Sequence, residues 1–145
     1  MSLGLSLGHG RFGMIPPLMA GSPPIRVLVV DDHQIFTHAL TTVLEQDGRF
    51  DVVGTAATGR EALRRARETE AEVVLMDMSM PVLDGPAATR RLVALDHAPC
   101  VIALSGHNDS LSRTAALDAG AAAFVTKSEP FDDLVTTILR ACGRE

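Results

Sequence analysis

The sequence predicts a doubly wound α/β domain: a five-stranded parallel sheet with helices on both faces. Three observations carry this. Five short apolar segments alternate with five segments of helical periodicity across residues 25–142. One segment, Val73-Val74-Leu75-Met76, is apolar at every position, which suits a strand buried on both faces, as parallel strands are. Finally, Asp31, Asp32, Asp77, Ser105 and Lys127 each fall at the end of an apolar run. In a parallel sheet such ends line one edge, where open α/β folds bind ligands.

Residues 1–24 read as a flexible N-terminal extension, natural or partly vector-derived, because Ser-Leu-Gly repeats and the pairs Pro16-Pro17 and Pro23-Pro24 oppose regular structure. Strand one is Ile25-Arg26-Val27-Leu28-Val29-Val30. Ile35, Phe36, Ala39, Leu40, Val43 and Leu44 then recur at helical spacing, with Gly48 after the helix end. Residues 50–56 form a short second strand at an edge. Thr58 and Glu61 have the spacing of a capping box, opening a helix with Ala62, Leu63 and Ala66 inward. The third strand runs into Asp77, and Pro81 interrupts the chain after it. Asp84-Gly85-Pro86 opens helix three, with Ala88, Leu92 and Leu95 inward. Cys100 to Leu104 is strand four, ending at Ser105. Asp109 caps a fourth helix that stops at Gly120 and has a weak apolar stripe, making it the least tightly held. Ala122 to Thr126 is strand five, ending at Lys127. Pro130 suits a first helical turn, and Phe131, Leu134, Val135, Ile138 and Leu139 give helix five a regular apolar face. Residues 143–145 read as the start of a linker.

Composition narrows the function. At 145 residues, 46% hydrophobic and 21% charged, the chain suits one folded domain. A net charge of -5 argues against a nucleic-acid-binding face on this domain. No apolar run approaches the ~20 residues needed to span a membrane. The two cysteines, Cys100 and Cys142, read as small apolar fillers in a reducing cytosol. Lys127 stands alone against twelve arginines, which suggests a site needing a compact ammonium.

Three carboxylates along one edge repel one another, and a bound divalent cation relieves this. No cysteine or histidine pattern points inward, so the oxygen ligands favour Mg²⁺, or Mn²⁺, over zinc. A lysine and a hydroxyl then suit phosphoryl oxygens, and the site reads as built for phosphoryl transfer with one carboxylate as nucleophile. Asp77 suits the nucleophile because it stands alone at a central strand end, while Asp31 and Asp32 suit the metal, with the Ser79 carbonyl as a further ligand.

These residues resemble a known family. Val29-Val30-Asp31-Asp32-His33, Met76-Asp77-Met78-Ser79-Met80-Pro81 with Asp84-Gly85, Ala103-Leu104-Ser105-Gly106, and Ala122 through Lys127 are similar to the receiver domain of bacterial two-component response regulators. Asp-Asp-His, Val53 to Ala56 and Lys127-Ser128 resemble the subgroup carrying a LuxR-type helix-turn-helix output. The resemblance implies a flavodoxin-like sheet of strand order 2-1-3-4-5. It implies a cytoplasmic switch in which Asp77 accepts phosphate from a sensor histidine kinase or a donor such as acetyl phosphate. Asp31, Asp32, Asp77 and the Ser79 carbonyl would hold the cation. Ser105 would move to the phosphate and Lys127 would contact a phosphoryl oxygen. Phe124 would be the aromatic switch, at a position where tyrosine is frequent. Helix one would receive the kinase, and the face of helix four, strand five and helix five would carry the output. Two copies would pair on phosphorylation, and DNA would be reached only through a C-terminal domain that these residues lack.

An alternative is a Mg²⁺-dependent phosphohydrolase forming an aspartyl phosphate. It would want an acid two residues after the nucleophile, where Ser79 stands, and a cap domain for which there is no room. A nucleotide- or flavin-binding domain would want glycines after strand one, and Asp31-Asp32-His33-Gln34 has none. His33 and His107 border the expected site but read as solvated loop residues. The pairs Arg64-Arg65 and Arg90-Arg91 read as solvated helix faces.

Overall fold

The structure, a computed structural model, describes residues 23–80 and 84–143. The expectation for Met1 to Pro24 lies almost wholly outside these residues, as do Pro81 and the last two positions of the expected linker. The elements alternate throughout: β1 (Ile25–Val30), α1 (Gln34–Gln46), β2 (Phe50–Ala56), α2 (Gly59–Thr69), β3 (Val73–Asp77), α3 (Gly85–Val93), β4 (Cys100–Ser105), α4 (Ser110–Asp118), β5 (Ala123–Thr126) and α5 (Phe131–Ala141). All four strand pairings are parallel, and the order across the sheet is β2-β1-β3-β4-β5.

Two cores explain the uniformly apolar strands. Successive side chains of a strand point to opposite faces. Leu28, Val30, Val74, Met76, Val101, Ala103 and Phe124 therefore enter one core with Ala62, Ala66, Ala88, Leu92 and Ala116, from α2, α3 and α4. Val27, Val29, Val73, Leu75, Ile102, Leu104 and Val125 enter the other, with Leu40 and Leu44 of α1 and Leu134, Val135 and Ile138 of α5. Phe36 and Phe131 join α1 to α5, ring centroids 6.2 Å apart.

The helix starts follow local chemistry. Thr58 accepts a hydrogen bond from the Glu61 N–H at 3.1 Å, and Glu61 Oε1 reaches back to the Ala57 N–H at 2.8 Å. Asp84 and Asp109 cap α3 and α4 through the Ala87 and Ser112 N–H groups. Gly120 ends the α4 segment at φ +111°, a conformation that side chains disfavour. Gly85 is fixed by crowding instead: an added Cβ would overlap the Asp77 carbonyl oxygen and the Met78 Cα.

Some expectations are corrected. Ile35 is 89% exposed: it lies on the solvent side of the first turn of α1, beside the carboxyl edge of the sheet. Arg65 is half-buried, with Nε enclosed in a groove lined by Asp31, Thr41, Thr55 and Glu61. Pro130 is the N-cap of α5, one residue ahead of the first turn. Cys100 and Cys142 are not apolar fillers but form a disulfide. Their separation of 42 residues hides the contact in the sequence. The chain leaves β4 from its carboxyl end, and α5 then runs back down to the amino end of β4, so the Cα atoms lie 6.0 Å apart. A loop of that size confers about 4 kcal/mol when oxidised, in a chain-entropy description.

Gly85→Ala is expected to cost about 1–3 kcal/mol in urea unfolding, because two backbone segments must part. Gly48→Ala, which meets nothing within 4 Å, should be neutral or slightly stabilising. Equal midpoints for the two variants would contradict the close approach of α3 to β3.

Candidate functional site

The site lies where β1, β3, β4 and β5 end. Asp31 follows β1, and its N–H continues the sheet to the Ala56 carbonyl at 2.9 Å. Asp31 is buried, and its Oδ1 accepts from the His33 N–H at 2.8 Å, turning the chain into α1. Asp32 is more exposed. Asp77 is the last residue of β3 and only 1% exposed. Its Oδ1 accepts from the Ser79 N–H at 3.1 Å, while the Met78 N–H extends the ladder to Leu104. Ser79 is thus adjacent to Asp77 and exposed to solvent.

Lys127 follows β5, and its N–H donates to the Ser105 carbonyl at 2.8 Å, which aims the side chain along the sheet edge. Its Nζ lies 2.6 Å from Asp31 Oδ2 and 3.6 Å from Asp77 Oδ2. The same ammonium sits 4.8 Å from the Phe36 ring centroid, a cation–π contact that shields it from water. Ser105 is buried at the end of β4, but its Oγ accepts from the His107 N–H at 3.1 Å. The hydroxyl therefore engages its own loop. Phe124 faces inward, 7% exposed, and the Arg113 guanidinium from α4 covers its ring at 4.9 Å.

The sheet edge thus brings Asp31, Asp32, Asp77 and Lys127 together, places Ser105 one strand away, and holds Phe124 within the core. Three residues contribute more than the sequence suggested. His33 is not merely solvated: its Nδ1 is 3.1 Å from Asp31 Oδ1, 3.4 Å from Asp32 Oδ1 and 3.4 Å from Lys127 Nζ. Its position beside the acid pair was the available signal. Phe36 was legible only as part of the apolar face of α1. Arg113 carried no signal, since only the packing of α4 on β5 brings it to Phe124.

Asp77 has its carboxyl pKa raised above the ordinary 3.8. Burial is the main cause, and the Asp31 charge adds to it, while the Ser79 N–H and Lys127 oppose the shift. The site suits a divalent cation. Asp31, Asp32, His33 and Asp77 each offer a ligand atom, all within 4.8 Å of one another. The buried Oδ2 of Asp77 accepts no hydrogen bond, and that of Asp31 is met only by the Lys127 ammonium. The donors are mainly carboxylate oxygens, as a hard cation prefers, and His33 Nδ1 lies among them.

Residues 27–139 match the family described as response regulator receiver domain. Response regulator GacA of Pseudomonas viridiflava is 40% identical over 114 residues, which is 79% of this chain and 53% of that protein. Protein-glutamate methylesterase/protein-glutamine glutaminase 1 of Shewanella denitrificans is 39% identical over 113 residues, 77% of this chain and 29% of that protein. The chain therefore spans about half the length, or less, of these curated relatives. Among solved structures, the NarL signal receiver domain of Mycobacterium tuberculosis superposes with a TM-score of 0.80 at 28% identity, covering 86% of this chain and 100% of that one. A two-component response regulator of the LuxR family from Aurantimonas sp. SI85-9A1 gives 0.78 at 33% identity, covering 83% and 86%.

A raised folded-state pKa means that Asp77 favours the folded state below the unfolded value of 3.8, and that this contribution is lost as pH rises through the folded value. In metal-free buffer, Asp77→Asn should therefore unfold at higher urea than the parent at neutral pH. The two midpoints should converge as pH falls towards 3.8. Added Mg²⁺ should stabilise the parent more than the variant. A variant less stable than the parent at neutral pH would contradict this account of the buried charge.

Proposed function

Since the chain belongs to the family of response regulator receiver domains, we propose that Asp77 accepts the phosphoryl group by which its activity is switched. Phosphorelay signalling is the work of this family, and the chain is a regulatory phosphoacceptor domain. The observation that carries the assignment to Asp77 is its buried Oδ2, which accepts no directed hydrogen bond and faces Lys127 beside the acid pair.

The chemistry follows from these positions. The Ser79 N–H holds Oδ1, leaving Oδ2 as the attacking atom. Oδ2 forms a bond to phosphorus as the bond from phosphorus to the donor's imidazole nitrogen, or to the oxygen of acetyl phosphate, breaks. A cation held by Asp31, Asp32, Asp77 and the Ser79 carbonyl, Mg²⁺ or alternatively Mn²⁺, would shield the phosphoryl charge. One neighbouring structure supports this: the CheX-CheY-BeF3-Mg+2 complex from Borrelia burgdorferi, whose matching chain is 26% identical to this one. Lys127 leans nearer to Asp31 than to Asp77, so in the resting site it acts as the internal counter-ion; phosphorylation would recruit its Nζ to a phosphoryl oxygen. Ser105 would exchange the His107 N–H for the phosphate, moving the loop before α4.

The output would be a rearranged α4-β5-α5 face. Ala116 is the one residue of α4 that is fully buried, so this helix is readily displaced, and Arg113 ties it to Phe124. The donor would be a sensor histidine kinase docking beside α1, where Ile35 is exposed at the mouth of the site. Phosphorylation would promote pairing of two copies. Transcription control through a further, DNA-binding domain is the output we favour, supported by GacA and by the LuxR-family neighbour. The methylesterase relatives favour a second reading, in which the controlled partner is an enzyme domain. No helix among the described residues is long and apolar enough to cross a membrane, and the switch would work in the cytoplasm.

With acetyl phosphate and Mg²⁺, the intact mass of the parent should rise by one phosphoryl group, and chelation should abolish the gain. Asp77→Asn should show no gain; an unchanged gain in that variant would sink the nucleophile assignment. Lys127→Ala should still be labelled, though more slowly, yet show no phosphorylation-dependent change in amide exchange at α4. The parental response in that variant would remove Lys127 from the switch.

A further inference from the structure

We propose that Cys100 and Cys142 form a reversible thiol–disulfide modification site that locks the α4-β5-α5 half of the domain. The proposal goes beyond phosphorylation and does not depend on it. Cys100 is the first residue of β4 and Cys142 caps α5, so the pair lies at the amino edge of the sheet, opposite Asp77. The chain between them contains β4, α4, β5 and α5. One bond therefore closes a covalent loop around every element of the expected output face.

The two side chains are placed for exchange. Their Cα atoms are 6.0 Å apart, within the range a disulfide spans without backbone movement. Both residues are only partly buried, at the rim of the core shared by α1 and α5, so a small thiol or disulfide can reach them. No other cysteine occurs in the chain to compete for pairing. Without the bond, the last turn of α5 is held by the Cys142 N–H donating to the Ile138 carbonyl at 3.0 Å and by partly buried Leu139 and Ala141. With it, that turn is fastened to a central region of the sheet.

The oxidant class is a low-molecular-weight disulfide such as glutathione disulfide. One cysteine thiolate attacks a sulfur of glutathione disulfide and expels one glutathione thiolate, leaving a mixed disulfide. The second cysteine thiolate attacks the protein sulfur of that bond and expels the other glutathione. Two protein thiols are oxidised, one external disulfide is reduced, and the two thiol protons pass to the departing glutathiones. Excess dithiothreitol reverses the process.

The test uses the whole chain, unphosphorylated, after treatment with dithiothreitol or glutathione disulfide. Alkylation with iodoacetamide should add two groups to the reduced protein and none to the oxidised protein, matching its two cysteines. Amide exchange over residues 138–143 should be slower in the oxidised form by about tenfold, as a local opening becomes tethered. Cys142→Ser should lose that difference, whereas Asp77→Asn should keep it, separating this site from the phosphoacceptor. Two alkyl groups after glutathione disulfide treatment, a lasting mixed disulfide, or equal exchange in the two redox states would each overturn the proposal.

Discussion

The structure depends on keeping a carboxylate dry at the end of β3. Asp77 lies within a central parallel strand flanked by two cores, so it has little water to solvate its charge, and Asp31 brings a second buried charge beside it. Such a pair is tolerable only if cations and N–H donors are supplied at fixed points. The turn at Ser79 supplies one donor and the turn at His33 another. Lys127 arrives from the far edge strand, and Phe36 covers its ammonium. The β2-β1-β3-β4-β5 order makes this possible, because it puts the acid pair, the central acid and the lysine along one edge although almost a hundred residues separate the first from the last.

Close packing couples this edge to the rest of the domain. Gly85 lets α3 press against the backbone of Asp77 and Met78, so the helix start and the strand end cannot shift independently. On the other side, Lys127 and Ser105 share a backbone hydrogen bond, joining the ends of β4 and β5. A charge added at Asp77, as proposed, would thus meet a stiff wall on the α3 side and a more yielding one towards α4, which buries a single residue fully. That asymmetry gives any displacement a direction.

Most of the fold was legible because its pattern is local. Apolar runs broken by Gly, Pro and capping residues located all five strands and all five helices, and the Thr58 and Asp109 caps formed as their spacing implied. The acid pair, Asp77 and Lys127 were legible because a parallel sheet gathers strand ends. What stayed hidden was created by tertiary approach. Nothing in the spacing of Cys100 and Cys142 encodes the return of α5 to the foot of β4. Ile35 fits a helical stripe, yet it falls on the open first turn, where no neighbouring element covers it. His33 seemed too exposed to matter until the turn at Asp31 folded its ring over the carboxylates.

The guanidinium of Arg113 lying over Phe124 has a consequence for the shape of the response. Outward movement of the ring would have to displace the arginine, which extends from a helix that buries a single residue fully. In the proposed switch, aromatic rotation and helix displacement would therefore be coupled, because movement of either alone would forfeit the contact. If Phe124 and α4 carry the switch proposed above, the domain would respond as a population divided between two arrangements, so that a graded input would change how many molecules have switched and not how far each has moved.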